Sequence, residues 1–269
     1  MLVKRTISAI ILLTISLSLI FIGGWIYTVG ITLILSGAAW EFINLFIKGG
    51  YHPNPYPLVL GTVGVISAAY LDHPLFTSLI YTFTVFSILL FTILNYERYE
   101  KTAAFDLTIE MAALLLITFL GSYLIKIRFL PNGLFWILIS IIPTVVGDIG
   151  AYFVGSLFGK HKLAPNLSPN KTIEGYIGGV LSAVLVSYAL GLIAAIYVPF
   201  ITTTSSTLIG CLTGILSPLG DLSKSIFKRQ FNLKNTGNII PGHGGILDRI
   251  DTLLWAGPIA YYLIVLFFL

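Results

Sequence analysis

The chain has 269 residues, 57% of them hydrophobic and only 10% charged, with a net charge of +4 and a mean hydropathy of +0.95. Soluble domains carry about 25% charged residues, so this composition excludes a globular fold covered by water and leaves lipid as the main solvent. In lipid only helices or closed barrels satisfy the backbone. The apolar stretches here are long and unbroken rather than alternating, which selects an all-α, polytopic transmembrane helix bundle.

Taken in chain order, the hydropathy predicts about nine spans, at about 7–23, 27–46, 57–71, 75–94, 105–125, 132–153, 175–197, 205–220 and 252–269. The third and eighth are short. Met1 to Arg5 followed by an apolar run resembles a signal peptide. No small-x-small site closes it and a second span follows at once, so it reads as an uncleaved first helix. Glu41 and Glu110 fall inside spans, where helix-packing or interface roles are expected. Cys211, the single cysteine, excludes an intramolecular disulfide and reads as a small core residue. Gly155-x-x-x-Gly159 and Gly210-x-x-x-Gly214 are spacings that let helices approach closely, within the chain or between chains.

Basic residues set the orientation. A cytoplasmic N-terminus puts Lys4, Arg5, Lys48, Arg98, Lys101, Lys160, Lys162, Lys171, Lys224, Lys228, Arg229, Lys234 and Arg249 inside, and only Lys126 and Arg128 outside, 13 of 15 on one side. Both large polar loops, about 154–174 and 221–251, are then cytoplasmic. No soluble domain or repeat interrupts the run of spans, so residues 1–269 read as one integral membrane domain whose C-terminal half, about 147–251, carries the chemistry.

Asp148, near the cytoplasmic end of the sixth span, is an acid at membrane depth, which is expensive and therefore marks a functional site. Ser168, Asn170, Lys171 and Thr172 follow in what reads as an ordered, proline-punctuated loop. Together they are suited to donating to phosphate oxygens. A loop needed only for topology would require its lysines alone.

Asp221 is expected to end the eighth span. If that helix continues, Asp221, Lys224, Ser225 and Lys228 share one face, with Arg229 adjacent. Ile240-Pro241-Gly242-His243-Gly244-Gly245 then forms a glycine-rich turn leading into Asp248-Arg249-Ile250-Asp251 and the last helix. Glycines at a helix start let backbone N–H groups cradle an anion. Asp248 and Asp251, at i and i+3, offer the oxygen ligands that Mg²⁺ prefers, completed by phosphates and water. The set suggests a metal–nucleotide phosphate site, with His243 as a polar contact to substrate. No Walker A loop occurs.

Ser225-x-Phe227-Lys228-Arg229-x4-Lys234-Asn235-x-Gly237-x2-Ile240-Pro241-x-His243-Gly244-Gly245-Ile246-x-Asp248-Arg249-Ile250-Asp251 resembles the pattern of the phosphatidate cytidylyltransferase (CDP-diacylglycerol synthase) family. Asp148-x-x-Ala151-Tyr152, Ser168 to Thr172 with Glu174-Gly175, and Ala39-Trp40-Glu41-Phe42 also look like that family. Asn235 departs from it, standing where the family usually has aspartate, and puts a metal role for that position in doubt. The resemblance implies the reaction of CTP with phosphatidate to give CDP-diacylglycerol and pyrophosphate, a two-metal centre with Mg²⁺ and a monovalent ion such as K⁺, and a membrane-embedded homodimer. It implies no nucleic-acid partner, and the inner membrane if the source is bacterial.

On this reading Asp221 and Asp248 hold the metals, with Asp251 and Asp148 as further candidates. Lys171, Lys224, Lys228, Arg229 and Arg249 neutralise phosphates, and Gly242, Gly244 and Gly245 cradle them. The attacking group is an already anionic phosphate oxygen, so no strong general base is required. Competing readings are a secondary transporter of an anionic solute, which would place its polar site near the midplane among repeats, and a cytidylyltransferase for another lipid phosphate. A CDP-alcohol phosphotransferase is excluded, because the chain contains no Asp-Gly.

Overall fold

A computed structural model of the chain describes residues 2–231, 233, 235–237, 239–240 and 244–269, and their side chains except those of 2–7 and 9. The described residues are almost wholly helical: α1 Leu2–Ile22, α2 Gly24–Lys48, α3 Pro55–Tyr70, α4 Pro74–Leu94, α5 Tyr96–Tyr99, α6 Ala103–Ala113, a π-helical stretch Leu114–Phe119, α7 Leu120–Phe129, α8 Gly133–Phe158, α9 Ile173–Tyr197, α10 Thr203–Leu216, α11 Pro218–Gln230 and α12 Leu247–Phe267. The only strands among them are β1 Lys162–Ala164 and β2 Ser168–Thr172, paired antiparallel. Among the described residues, six helices are long and apolar enough to cross a membrane: Gly24–Lys48, Pro74–Leu94, Ala103–Phe129, Gly133–Phe158, Ile173–Tyr197 and Leu247–Phe267. Ile10–Ile22 and Pro55–Tyr70 are shorter apolar helices.

The chain divides into two compact units, Met1–Lys126 with Phe231–Ile250, and Ile127–Gln230 with Asp251–Leu269. In the first unit, proline and a capping side chain start two helices. Asn54 Oδ1 accepts from Tyr56 N at 3.0 Å ahead of Pro55 and Pro57, and His73 caps α4 ahead of Pro74. Pro at a first helical position removes an N–H that would have no partner there. The core carries a few polar links: Tyr27 Oη donates to Leu124 O at 3.0 Å, and the hydroxyls of Thr62 and Thr118 lie 2.7 Å apart.

Two buried acids on α6 hold the 51–54 turn. Asp106 accepts from His52 N at 2.8 Å and from Thr102 Oγ1 at 2.7 Å, and Glu110 accepts from Asn54 N at 2.6 Å. Glu110 thus fastens a loop to a helix, in keeping with the packing role expected for it. Orphaning a buried donor costs about 1–3 kcal/mol, and Asp106→Ala takes the acceptor from His52 N and one of the acceptors from Thr102 Oγ1. The variant is expected to unfold in detergent several degrees below wild type; an unchanged thermal midpoint would show that the turn is held by other contacts.

The second unit is built on small residues. A Cβ on Gly155 would lie 3.4 Å from Gly175 Cα, and one on Gly214 would lie 3.0 Å from Ala183 Cβ. Both Gly-x-x-x-Gly spacings therefore serve packing inside this unit, α8 on α9 and α10 on α9. Trp136 is fully buried, with ring contacts to Phe200 and Phe268.

Two local expectations change. The ordered loop expected after the sixth span takes the form of a β-hairpin, and it begins later, because α8 runs to Phe158. Its extended Ser-Pro-Asn-Lys-Thr strand ends at Thr172, whose hydroxyl oxygen caps α9 by accepting from Gly175 N at 3.1 Å. Asp221 does not end the eighth span. Helix α10 stops at Leu216, and Pro218 opens a new helix in whose first turn Asp221 lies. The physical reason is proline's missing N–H and fixed φ, which suit a helix start and break a helix interior.

Candidate active site

Within the second unit, four elements converge on one buried ammonium group. Lys224, on α11, is 7% exposed. Its Nζ lies 3.1 Å from Asp221 Oδ1 and 2.5 Å from Asp251 Oδ2. Lys171, from β2, closes the other side of Asp221 with its Nζ 2.8 Å from Oδ2. Asp148, on α8, accepts from Thr252 Oγ1 at 3.1 Å, one residue beyond Asp251, and its charge interacts with those of Lys171, Asp221 and Lys224. Gly220 permits this arrangement: a Cβ there would lie 2.2 Å from Asp251 O, so the first turn of α11 rests directly on α12 backbone. Five residues singled out from the sequence, Asp148, Lys171, Asp221, Lys224 and Asp251, are thus brought together.

The hairpin is fixed from both ends. Glu174 accepts from the backbone N–H groups of Lys160 and His161 and pairs with His161 Nδ1 at 2.6 Å. Arg229 Nε donates to Leu167 O at 3.0 Å, tying the tip of the hairpin to α11. Arg229 is therefore placed to hold the strand that carries Lys171. Within β2, Lys171 reaches Asp221 while Thr172 caps α9, and the pairing with β1 is irregular between Ser168 and Thr172. Ser225 donates to Asp221 O at 2.7 Å, and Lys228 is half-buried on the same helix.

Asp248 belongs to the first unit. Its Oδ2 accepts from Thr236 N at 2.9 Å, Thr236 Oγ1 at 3.1 Å and Gly245 N at 3.3 Å. Gly244 has φ +84°, a conformation open to glycine, and Ile240 N donates to its carbonyl at 2.9 Å. Arg249 is exposed in the first turn of α12. Gly242 and His243 lie outside the described residues. Sequence reasoning gave no role to Thr236, which Asp248 holds, or to Thr252, and gave Glu41, which accepts from Leu247 N at 3.0 Å, only a helix-packing or interface role. Only Glu41 left a trace, as an acid within an apolar span.

Burial acts to raise the Asp221 carboxyl, but the ammonium groups of Lys224 and Lys171 outweigh it and hold the carboxyl well below the usual carboxylate range. A carboxylate depressed in the folded state contributes stability that is fully present above its unfolded pKa, roughly 3.9, and is lost as pH falls through the lower folded value. The stability difference between wild type and Asp221→Asn is therefore expected to stay constant from neutrality to about pH 5 and to shrink only in stronger acid. A difference that shrinks between pH 7 and 5 would show that Asp221 is not ion-paired in this way.

Among the described residues, no three His, Cys, Asp or Glu side chains converge to enclose a metal by themselves. The donor chemistry nonetheless fits Mg²⁺. Asp221 and Asp251 already share one cation, the Lys224 ammonium, and Mg²⁺ usually takes only one or two protein carboxylates, with substrate phosphates and water completing its shell.

A sequence model described as the cytidylyltransferase family matches residues 3–267. The chain is 43% identical over 146 residues to a phosphatidate cytidylyltransferase of Bacillus subtilis, a match covering 54% of this chain and 53% of that one. It is 31% identical over 293 residues to the protein of that name from Synechocystis, covering 98% and 96% of the two chains. With the one from Staphylococcus saprophyticus it shares 33% identity over 274 residues, covering 97% and 98%.

Proposed function

The chain belongs to the cytidylyltransferase family, and on that premise we propose that it transfers CMP from CTP to phosphatidate, giving CDP-diacylglycerol and pyrophosphate. It is a nucleotidyltransferase of phospholipid synthesis, an integral membrane enzyme. The observation that carries the choice of site is the Lys224 ammonium, buried between Asp221 and Asp251 in a chain with so few charges.

The difficulty of the reaction is electrostatic, since an anionic lipid phosphate must meet an anionic triphosphate. Catalysis of such transfers is mainly positioning and charge neutralisation. A phosphate oxygen of phosphatidate attacks the α-phosphorus of CTP. A new P–O bond forms, the bond from that phosphorus to the α–β bridging oxygen breaks, and pyrophosphate leaves with the electron pair. The nucleophile is already ionised, so no residue need remove a proton. Lys171 and Lys224 offset negative charge at the reacting centre, with Lys228, Arg229 and Arg249 further out, and the glycines of the second loop cradle phosphates. Asp221 and Asp251, with Asp148, would hold Mg²⁺ and a monovalent ion such as K⁺, which would supply charge stabilisation to the transfer, and Asp248 is a further candidate ligand.

The proposal extends to nine spans with the N-terminus and both loops cytoplasmic, and to a homodimer. The spans and their orientation are supported by the bias of basic residues and by a helix at each predicted apolar stretch; the homodimer rests on the family resemblance alone. A phosphatidate headgroup stays at the membrane interface while its acyl chains remain in the bilayer, which suits a site of charged residues at that level.

The test is to incubate the purified, detergent-solubilised protein with labelled CTP, Mg²⁺ and phosphatidate. Lipid-linked CMP is expected. Its absence with phosphatidate and with other lipid phosphates would refute the reading.

A further inference from the structure

We infer that Glu41, far from the polar loops in sequence, is a positioning residue for the segment that carries Asp248. The inference rests on the reading that residues 235–251 belong to the active site. Glu41 lies on α2 and is 3% exposed. A carboxylate in an apolar span is expensive, and helix packing alone would be better served by an apolar side chain.

The surroundings of Glu41 supply a reason for the acid. Leu247 is the first residue of α12, and its N–H has no partner within that helix. Glu41 Oε2 accepts it at 3.0 Å, across 206 residues of sequence. A carboxylate at a helix N-terminus also complements the helix dipole. The chain bends closely around this group. A Cβ on Gly245 would lie 2.4 Å from Oε2, and one on Gly237 would lie 2.4 Å from Oε1. One turn earlier on α2, a Cβ on Gly37 would lie 2.6 Å from the Ile246 side chain. Residues 245–247 therefore sit on a face of α2 shaped by Gly37 and Glu41.

This arrangement divides the labour between two carboxylates. Asp248, the second residue of α12, is the acid nearest this helix start in sequence. With Leu247 N taken by Glu41, Asp248 Oδ2 holds Thr236 and Gly245. Removing the Glu41 carboxylate leaves Leu247 N without its acceptor and loosens the helix start that Asp248 joins to Gly245 and Thr236.

The experiment uses the full-length purified enzyme. Glu41→Ala is expected to lower kcat at least about tenfold and to speed amide exchange in peptides covering 244–250 about tenfold, leaving α8 and α9 peptides unchanged. Glu41→Gln keeps an acceptor oxygen for Leu247 N and is expected to recover most of both losses. Gly237→Ala presses on the same carboxylate; it is expected to lower kcat in wild type but to add nothing in the Glu41→Ala background, the non-additivity of a shared contact. Wild-type kcat and exchange in Glu41→Ala would overturn the inference, as would faster exchange along the whole chain without rescue by Gln. Should Glu41→Ala fail to fold, Gly237→Ala alone decides: no effect on kcat or on local exchange overturns it. Asp248→Asn separates the two ideas. If it retains activity, residues 235–251 are not part of the site, whereas exchange at 244–250 still reports whether Glu41 holds the helix start.

Discussion

Replacing Lys224 by Met is expected to lower kcat by about 10²–10³-fold, the range for loss of one preorganised charge-stabilising group, while the protein still folds. Met keeps the length and apolar volume of the lysine stem, so the change is mainly one of charge. The ammonium group is the common partner of Asp221 and Asp251. Without it two carboxylates face each other in a largely buried place, and like charges so close are relieved when one takes up a proton. Such a pair no longer presents two anionic oxygens in a fixed geometry. Lys224→Arg is expected to rescue little, because a planar guanidinium does not replace a compact point charge between two acids. The measurement is steady-state turnover of CTP in mixed micelles, alongside a thermal midpoint. Turnover within about threefold of wild type would make the cluster a structural ion pair and move the chemistry elsewhere.

Much of this was legible in the sequence, for identifiable reasons. Unbroken apolar runs can only be helices in lipid, so the spans follow from hydropathy. The scarcity of charge made each acid and lysine conspicuous, and Asp221 and Lys224 could be paired by helical spacing alone. The break at Pro218 was visible as a proline but not decisive, because an apolar run on both sides of it mimics one continuous span. The hairpin was harder, since Ser, Pro, Asn, Lys and Thr also suit a loop. Reading them as one donor cluster did not reveal that Thr172 caps the next helix. Contacts between distant segments had no local sign at all. Asp251 meets Lys224 only because Gly220 lets α11 rest on α12, and no spacing within either helix shows it. Glu41 is the extreme case, an isolated acid whose partner is a backbone N–H at the far end of the chain.

Asp248→Asn is expected to remove turnover, by about 10³-fold or more, and to leave the fold nearly intact. The hydrogen bonds of this side chain make the separation possible. One oxygen, Oδ2, accepts from Thr236 N, Thr236 Oγ1 and Gly245 N. An asparagine oxygen in the same place accepts from the same three donors. For these three bonds the charge assistance is what is lost, a difference of about 1 kcal/mol between a neutral and a charge-assisted bond. A carboxamide cannot, however, stand in for an anionic ligand to a hard cation. Thr236→Ala makes the complementary change: it deletes one donor to Oδ2 while leaving the carboxylate charged, and is expected to lower turnover by tenfold at most, on the order of a single hydrogen bond. If both variants lose activity equally, Asp248 acts by holding its loop. If Asp248→Asn is near wild type, it has no part in binding the metal. A large loss in Asp248→Asn with a small one in Thr236→Ala, at matched thermal midpoints, assigns the charge itself to the reaction.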